Sequence, residues 1–231
     1  MPESPFVVRN TRFSEVIARQ DMDVFMRVCP ERPYDRGEAV FRAGDPALEM
    51  HVIAKGRVKV TVVTPDGEER ILAICGPDDF IGDAFVVQGA AYRAEAVALT
   101  DVVTCPISRD QFLQMALKAP GFVLGVCEIL SGHLFDCRAQ LASGYDPVMV
   151  RVAKVLLGLA ERFGEPDDEG WVTLASNLKH EEIASMVSAT RVSVTMAVGE
   201  LRERGLLEGS RGTYRLHAPA LASLADASED G

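Results

Sequence analysis

The sequence predicts an α+β chain in three parts: a β-rich roll over 1–119, one long helix over 120–144, and a helical unit over 145–231 that closes with a β-hairpin. Three observations carry this. Short runs punctuated by Gly, Pro and Asp crowd the stretch from Tyr34 to Ile107. Apolar residues recur at helical spacing after Pro120, and two short amphipathic segments flank a tight turn after Lys179. At 231 residues the chain has room for two compact units.

Within the first part, the expected strands are Ala39–Arg42, Met50–Lys55, Arg57–Val63, Arg70–Cys75, Arg93–Ala98 and Asp101–Pro106. The turns between them are Ala43-Gly44-Asp45-Pro46, Lys55-Gly56 and Pro65-Asp66-Gly67. Strands so closely spaced suit a small barrel or a double-sheet roll. Val58, Val60 and Val62 alternate with Arg57, Lys59 and Thr61, as a half-buried strand requires.

After Ser108 the texture turns helical. Val123, Cys127, Leu130, Leu134, Cys137 and Leu141 recur at alternating spacings of four and three, which is a heptad seam. Such a stripe seals either against a second copy of the chain, giving a homodimer, or against its own domain, and periodicity alone leaves both open. Gly144–Pro147 ends this helix. A further amphipathic helix runs from Val148 to about Phe163, with Val152, Val155, Leu156 and Leu159 on one face. The acidic turn Glu165–Gly170 leads into a strand, Trp171–Leu174, and the tail Asp226–Gly231 is expected to fray.

The last part carries the chemistry. A helix over Glu181–Val187, a turn at Ser188-Ala189 and a second helix over Arg191–Arg204 form a helix-turn-helix, with Ile183, Ala184 and Val187 facing Val194, Val198 and Leu201. Thr190 is placed to cap the second helix. Leu206–Glu208, the turn Gly209-Ser210-Arg211-Gly212 and Thr213–Leu216 then form a hairpin wing. The net charge of −10 argues against holding nucleic acid by bulk charge, so phosphate contacts must come from local cations. Lys179, Thr190, Arg191, Val192, Ser193, Thr195 and Met196, with Arg211 on the wing, are the expected contacts to double-stranded DNA. A helical hairpin docking on another protein shares the pattern, but it does not call for Arg191 and hydroxyls at the start of the second helix.

Composition limits the remaining classes. With 48% hydrophobic and 25% charged residues the chain suits a folded soluble protein, and no apolar run reaches the length of a membrane span. Met1-Pro2-Glu3-Ser4-Pro5 lacks the basic and apolar regions of a secretory signal, so a cytoplasmic location and no membrane partner are expected. The five cysteines (Cys29, Cys75, Cys105, Cys127, Cys137) contain no C-x-x-C pair and read as buried thiols of a reducing compartment. The four histidines (His51, His133, His180, His217) are scattered, so no metal is expected. Walker, dinucleotide and nucleophile-elbow motifs are missing, and His51 stands without the neighbouring His that a metal-dependent β-roll enzyme needs, so no enzymatic activity is expected.

Several ordered features now resemble one family. These are Gly37-Glu38, Lys55-Gly56-Arg57-Val58, Pro65-Asp66-Gly67-Glu68-Glu69, the Phe80–Arg93 segment and Glu181–Leu207. Together they are similar to the cyclic-AMP-receptor and fumarate-nitrate-regulator superfamily of bacterial transcription factors across nearly the whole chain. The resemblance implies a jelly-roll-like, double-stranded β-roll of the cyclic-nucleotide-binding type, a long dimerisation helix and a C-terminal winged helix-turn-helix. It also implies a homodimer on a palindromic promoter site, with RNA polymerase as a partner.

The family's phosphate-binding cassette places Gly-Glu eleven residues, Gly to Arg, before Arg-Ser or Arg-Thr. This sequence has Gly82-Asp83 and Arg93-Ala94 at that spacing. Arg93 would pair with a cyclic phosphate, the amides of Ala84 and Phe85 would cradle it, and Asp83 would accept from a ribose hydroxyl. The family sets the adenine near Asp136-Cys137. Two departures weaken the match: Asp83 is one methylene short, and Ala94 has no hydroxyl, a loss on the order of 1–2 kcal/mol. Cyclic AMP, another ligand and no ligand therefore all stay open, the last with Arg93 merely satisfying Asp83 or Glu95.

An iron–sulfur sensor needs clustered N-terminal cysteines, and only Cys29 is there. A haem sensor would use Cys75 or His51, which read more simply as buried structural residues. Neither cofactor is expected. The run Arg191-Val192-Ser193-Val194-Thr195-Met196 departs from the cyclic-AMP-receptor pattern Arg-Glu-Thr-Val-x-Arg and is more similar to the Arg-Val-Thr-Val-Thr of cyanobacterial nitrogen-control regulators. A cyclic-nucleotide-binding regulatory protein acting on a protein partner, and an effector-independent transcription factor, are the alternatives.

Overall fold

The computed structural model describes residues 13–17, 25, 29–175, 178–210 and 212–226. Its contacts divide the chain into two units, 10–134 and, on the C-terminal side, 135–231, so the division falls inside the long helix.

In the first unit, eight strands form two four-stranded antiparallel sheets. They are β1 (Arg32–Tyr34), β2 (Ala39–Phe41), β3 (Glu49–Lys55), β4 (Val58–Val63), β5 (Glu69–Cys75), β6 (Phe80–Ile81), β7 (Glu95–Ala98) and β8 (Val102–Ser108). The sheet orders are β1-β8-β3-β6 and β2-β7-β4-β5, so strands distant in sequence pair, as in a roll. The β3–β4 turn needs glycine. Gly56 sits at φ +87°, and a Cβ there would lie 2.2 Å from the Asp101 carbonyl oxygen.

The simple alternation expected for β4 does not hold along the whole strand. The β4–β5 register shifts between Val60 and Thr61, and burial shifts with it. Thr61, opposite Ile71, is buried, whereas Val62 is only half-buried and Val63 is exposed. Strands β1 and β6, each of three residues or fewer, were not expected from the sequence. They are too short for periodicity to register, and pairing with β8 and β3 makes them strands.

Ser108 caps α2 (Arg109–Lys118) through a reciprocal box with Gln111. The long helix α3 (Pro120–Ser143) follows. Its Phe122, Val126 and Ile129 are buried in a core with Met50, Val52, Phe80, Phe85 and Ile107. Phe13, in the short helix α1 (Phe13–Val16), and Phe25 join that core, with Phe13 ring contacts at 5.1 Å to Phe25 and 5.6 Å to Phe122.

Cysteine placement corrects the expectation of buried free thiols. Cys29 and Cys105 are joined by a disulfide, Cys127 and Cys137 are exposed, and only Cys75 is a buried free thiol. Spacing in sequence carried no signal for a pair 76 residues apart that β1–β8 pairing brings together.

In the second unit, α4 (Val148–Phe163) is the central element. Val152, Val155, Leu156 and Leu159 are fully buried, as expected. Lys154 is buried on the same helix and is paired with Asp146 at 3.1 Å, which offsets the cost of desolvating its charge. Around α4 lie α5 (His180–Val187), α6 (Arg191–Glu203) and an unforeseen helix, α7 (Ala218–Asp226), with Leu221 and Ala225 buried. Strands β9 (Glu165–Pro166), β10 (Trp171–Ala175), β11 (Leu207–Ser210) and β12 (Thr213–His217) form one antiparallel sheet in the order β11-β12-β10-β9. The expected frayed tail beyond Asp226 lies outside the described residues.

Candidate effector and DNA-binding sites

The segment after β6 turns sharply at Gly82, whose φ of +87° only glycine adopts readily. A Cβ there would meet the Glu49 carbonyl oxygen at 3.1 Å and the Tyr92 ring at 3.2 Å. Tyr92 is itself fixed: its ring stacks on Phe41 at 4.0 Å, and its hydroxyl donates to the Glu49 carbonyl at 2.5 Å. Residues Asp83–Val86 then form a single 3-10 turn. Phe85 anchors this turn in the core against Phe112, 5.2 Å away, and Arg109 donates to the carbonyls of Phe85 and Val86.

These anchors leave Asp83 and Arg93 exposed. Arg93 has no ion-pair partner among the described residues, and Glu95 lies 3.7 Å from Arg42. Among the described residues neither Asp83 nor Glu95 forms an ion pair with Arg93. One expected donor is lost, because the Phe85 N–H already donates to the Gly82 carbonyl at 3.2 Å. Ala84 and Ala94 are half-buried. Asp136 and Cys137 belong to the second unit, the first buried and the second exposed on α3.

His51 is buried on β3, with Nδ1 3.2 Å from the Thr104 hydroxyl. Burial outweighs the attraction of Glu49, 3.9 Å away, and lowers its pKa to about 4. The ring is neutral at neutral pH, so that contact is not an ion pair.

On α3, Phe122, Val126 and Ile129 are buried in the chain's own core, and Val123 and Leu130 of the heptad seam, half-buried, pack against it, while Cys127, Leu134, Cys137 and Leu141 are exposed.

In the second unit, α5 ends at Ser188 in the left-handed conformation, φ 51°. The turn reverses the chain into α6. Thr190 caps α6, its hydroxyl accepting from the Ser193 amide at 3.1 Å, and Ser193 Oγ lies 2.9 Å away. Val194, Val198 and Leu201 are fully buried. Their burial turns Arg191, Val192, Thr195 and Met196 outward, with Val192 68% and Met196 71% exposed. Two bare apolar side chains beside an arginine have no use in the unit's own packing, and they suit base edges and thymine methyls.

Lys179 is exposed at the start of α5, where its amide donates to Glu182 at 2.9 Å. Arg202 donates to the Gly209 carbonyl at 2.5 Å, tying α6 to the wing. The expected wing contact, Arg211, lies outside the described residues. Two residues of this surface were not foreseen. Gly199 continues the outward face, with open space where a side chain would stand, and His180 lies 2.9 Å from Thr195. The periodicity of apolar residues marks only buried faces, so neither gave a signal.

A strand roll with a glycine-hinged turn at Gly82, followed by a helix-turn-helix with a wing, is the architecture of a transcription regulator with a cyclic-nucleotide-binding domain. Known families agree. Residues 31–119 match the cyclic nucleotide-binding domain, and residues 150–227 match the Crp-like helix-turn-helix domain. The chain is 32% identical over 173 residues to a CRP-like cAMP-activated global transcriptional regulator of Mycobacterium tuberculosis, covering 74% of this chain and 77% of that protein. It is 28% identical to the global nitrogen regulator of Synechocystis, over 82% of this chain and 85% of that one. A solved transcriptional regulator of the CRP family from Thermus thermophilus superposes with a TM-score of 0.71 at 26% identity, covering 84% and 96% of the two chains. The protein belongs to the CRP/FNR family of transcriptional regulators.

Among the described residues no single helix is long and apolar enough to cross a membrane.

Proposed function

We propose that this regulator works as a homodimer that reads a palindromic DNA site and is controlled by a small anionic effector, cyclic AMP first, bound through Gly82, Asp83, Ala84, Phe85, Arg93 and Ala94. The carrying observation is Arg93, a cation left without an ion-pair partner among the described residues, in the cassette hinged at Gly82. A cyclic phosphate supplies the missing anion. The similarity to a cAMP-activated relative supports the choice.

Two copies joined along Val123, Cys127, Leu130, Leu134, Cys137 and Leu141 present two α6 helices to half-sites about one helical turn apart, ~34–36 Å. The exposure of Cys127, Leu134, Cys137 and Leu141 supports this pairing. Effector binding shifts the population of dimer arrangements only through differential affinity for them. Recruitment of RNA polymerase completes the activator reading, and run-off transcription on a selected promoter measures it.

The experiment is genome-wide binding-site selection with and without cyclic AMP, alongside calorimetry on the wild type and Arg93→Ala. Cyclic AMP is expected to give heat with the wild type, none with the variant, and tighter, more selective DNA binding. No heat and no thermal shift at millimolar nucleotide would remove the nucleotide. Mild oxidation is expected to cross-link two copies through Cys127 or Cys137, since residues of a parallel seam meet their own mates. A scattering mass of one chain with DNA present would overturn the dimer.

A second reading, effector-independent binding, is favoured by Ala94 and by the committed Phe85 amide, which together leave a phosphate fewer donors. Equal site selection with and without cyclic AMP would establish it.

A further inference from the structure

His180 opens α5 and has no part in the contacts proposed above. Its Nδ1 lies 2.9 Å from Thr195 Oγ1, and the Thr195 hydroxyl donates to the Arg191 carbonyl at 2.9 Å. A hydroxyl has a single proton, so the Thr195 oxygen must accept from the ring. Nδ1 therefore carries the hydrogen, and in the neutral ring Nε2 is a bare acceptor. Among the described residues no other hydrogen-bond partner meets this ring.

The charges that bear on His180 from α6 are the cations Arg202 and Arg191. Its own element contributes Lys179, Glu181 and Glu182, and the Glu182 carboxylate accepts from the Lys179 amide. From α4, Arg151 is committed to the carbonyls of Val187 and Ser188 at the opposite end of α5. Partial burial, then Arg202 and Arg191, hold the His180 pKa below its ordinary value. A docked duplex reverses the electrostatic part: phosphates neutralise the arginines and give a protonated Nε2 an acceptor.

We propose that His180 is a proton-coupled DNA contact, taking one proton from solvent at Nε2 when a phosphate docks beside it, while Nδ1–H continues to hold Thr195 and the first turn of α6. This inference rests on the DNA-reading face of α6. No bond other than N–H forms. Because the complex binds more protons than the free protein, affinity rises as pH falls.

The test is fluorescence anisotropy with duplexes of random sequence at low, constant salt, from pH about 8 to about 5.5. It compares the wild type with His180→Asn, whose amide nitrogen replaces Nδ1 toward Thr195 and does not titrate. Wild-type affinity is expected to rise by up to about tenfold per pH unit, the limit for one proton. The variant is expected to lack this slope, whatever its affinity at high pH. His51, His133 and His217 are common to both proteins, so the difference isolates His180. A wild type without slope, or a variant that keeps it, would overturn the proposal. Absence of DNA binding at every pH by the folded wild type would instead count against DNA reading itself. Imidazole nitrogen resonances give a second readout: the Nδ1–H tautomer in the free protein, and a His180 pKa that rises when duplex is added. An unchanged pKa would sink the coupling.

Discussion

The guanidinium of Arg151 on α4 donates to the carbonyl of Val187, the last residue of α5, and reaches the Ser188 carbonyl at 3.5 Å. A cation thereby closes the C-terminal end of the first helix of the helix-turn-helix, where the backbone passes through a left-handed residue that is not glycine. Replacing Arg151 by Met keeps the apolar stem and removes these bonds. Stability should fall by about 1–3 kcal/mol in a thermal or denaturant melt. Unchanged melting would mean that the turn holds itself.

Gly56 combines a positive φ with the close approach of the Asp101 carbonyl. Gly56→Ala adds left-handed strain and a main-chain clash, together about 2–4 kcal/mol. The loss should appear as reduced folded yield and a lower melting temperature. A variant as stable as the wild type would show that the β3–β4 turn relaxes freely.

His51 makes stability pH-dependent. Its folded pKa of about 4 lies below the ordinary 6.5, so on acidification the unfolded chain takes the proton first. The stabilisation is complete above pH 6.5 and is lost progressively as pH falls toward 4, by up to about 3 kcal/mol. Denaturant midpoints across that range, compared with His51→Asn, measure it. Equal slopes in the two proteins would assign the acid sensitivity elsewhere.

Arg191 heads the outward face of α6 and should read a guanine through O6 and N7, with Val192 against a nearby thymine methyl. Arg191→Ala should weaken binding to the selected site by about 1–3 kcal/mol and relax the preference at that one base pair. Competition assays on single-base variants of the site give the answer. Retained affinity and retained preference would defeat the assignment.

Gly199 separates folding from reading. Nothing lies within 4 Å of a Cβ at this helix position, so Gly199→Ala should stabilise the unit by about 0.5–1 kcal/mol through backbone entropy. The same methyl projects from the outward face of α6 proposed to read DNA and should lower DNA affinity. A gain in both melting temperature and affinity would place Gly199 away from the duplex.

Local chemistry was enough to reveal much of this protein in its sequence. The bounds of α4, the Thr190 cap, the two packed faces Ile183-Ala184-Val187 and Val194-Val198-Leu201, and most strands of the roll follow from periodicity, turn residues and capping, which act over a few neighbouring residues. Whatever depended on residues far apart was decided only by the tertiary structure. The Cys29–Cys105 pairing, the shift that buries Thr61, the Arg42–Glu95 contact and the His180–Thr195 bond each join residues that the chain brings together only on folding. Periodicity reports which face of an element is apolar. Which polar partner meets that element is set by strand pairing and helix docking, as at Arg42–Glu95 and at His180–Thr195.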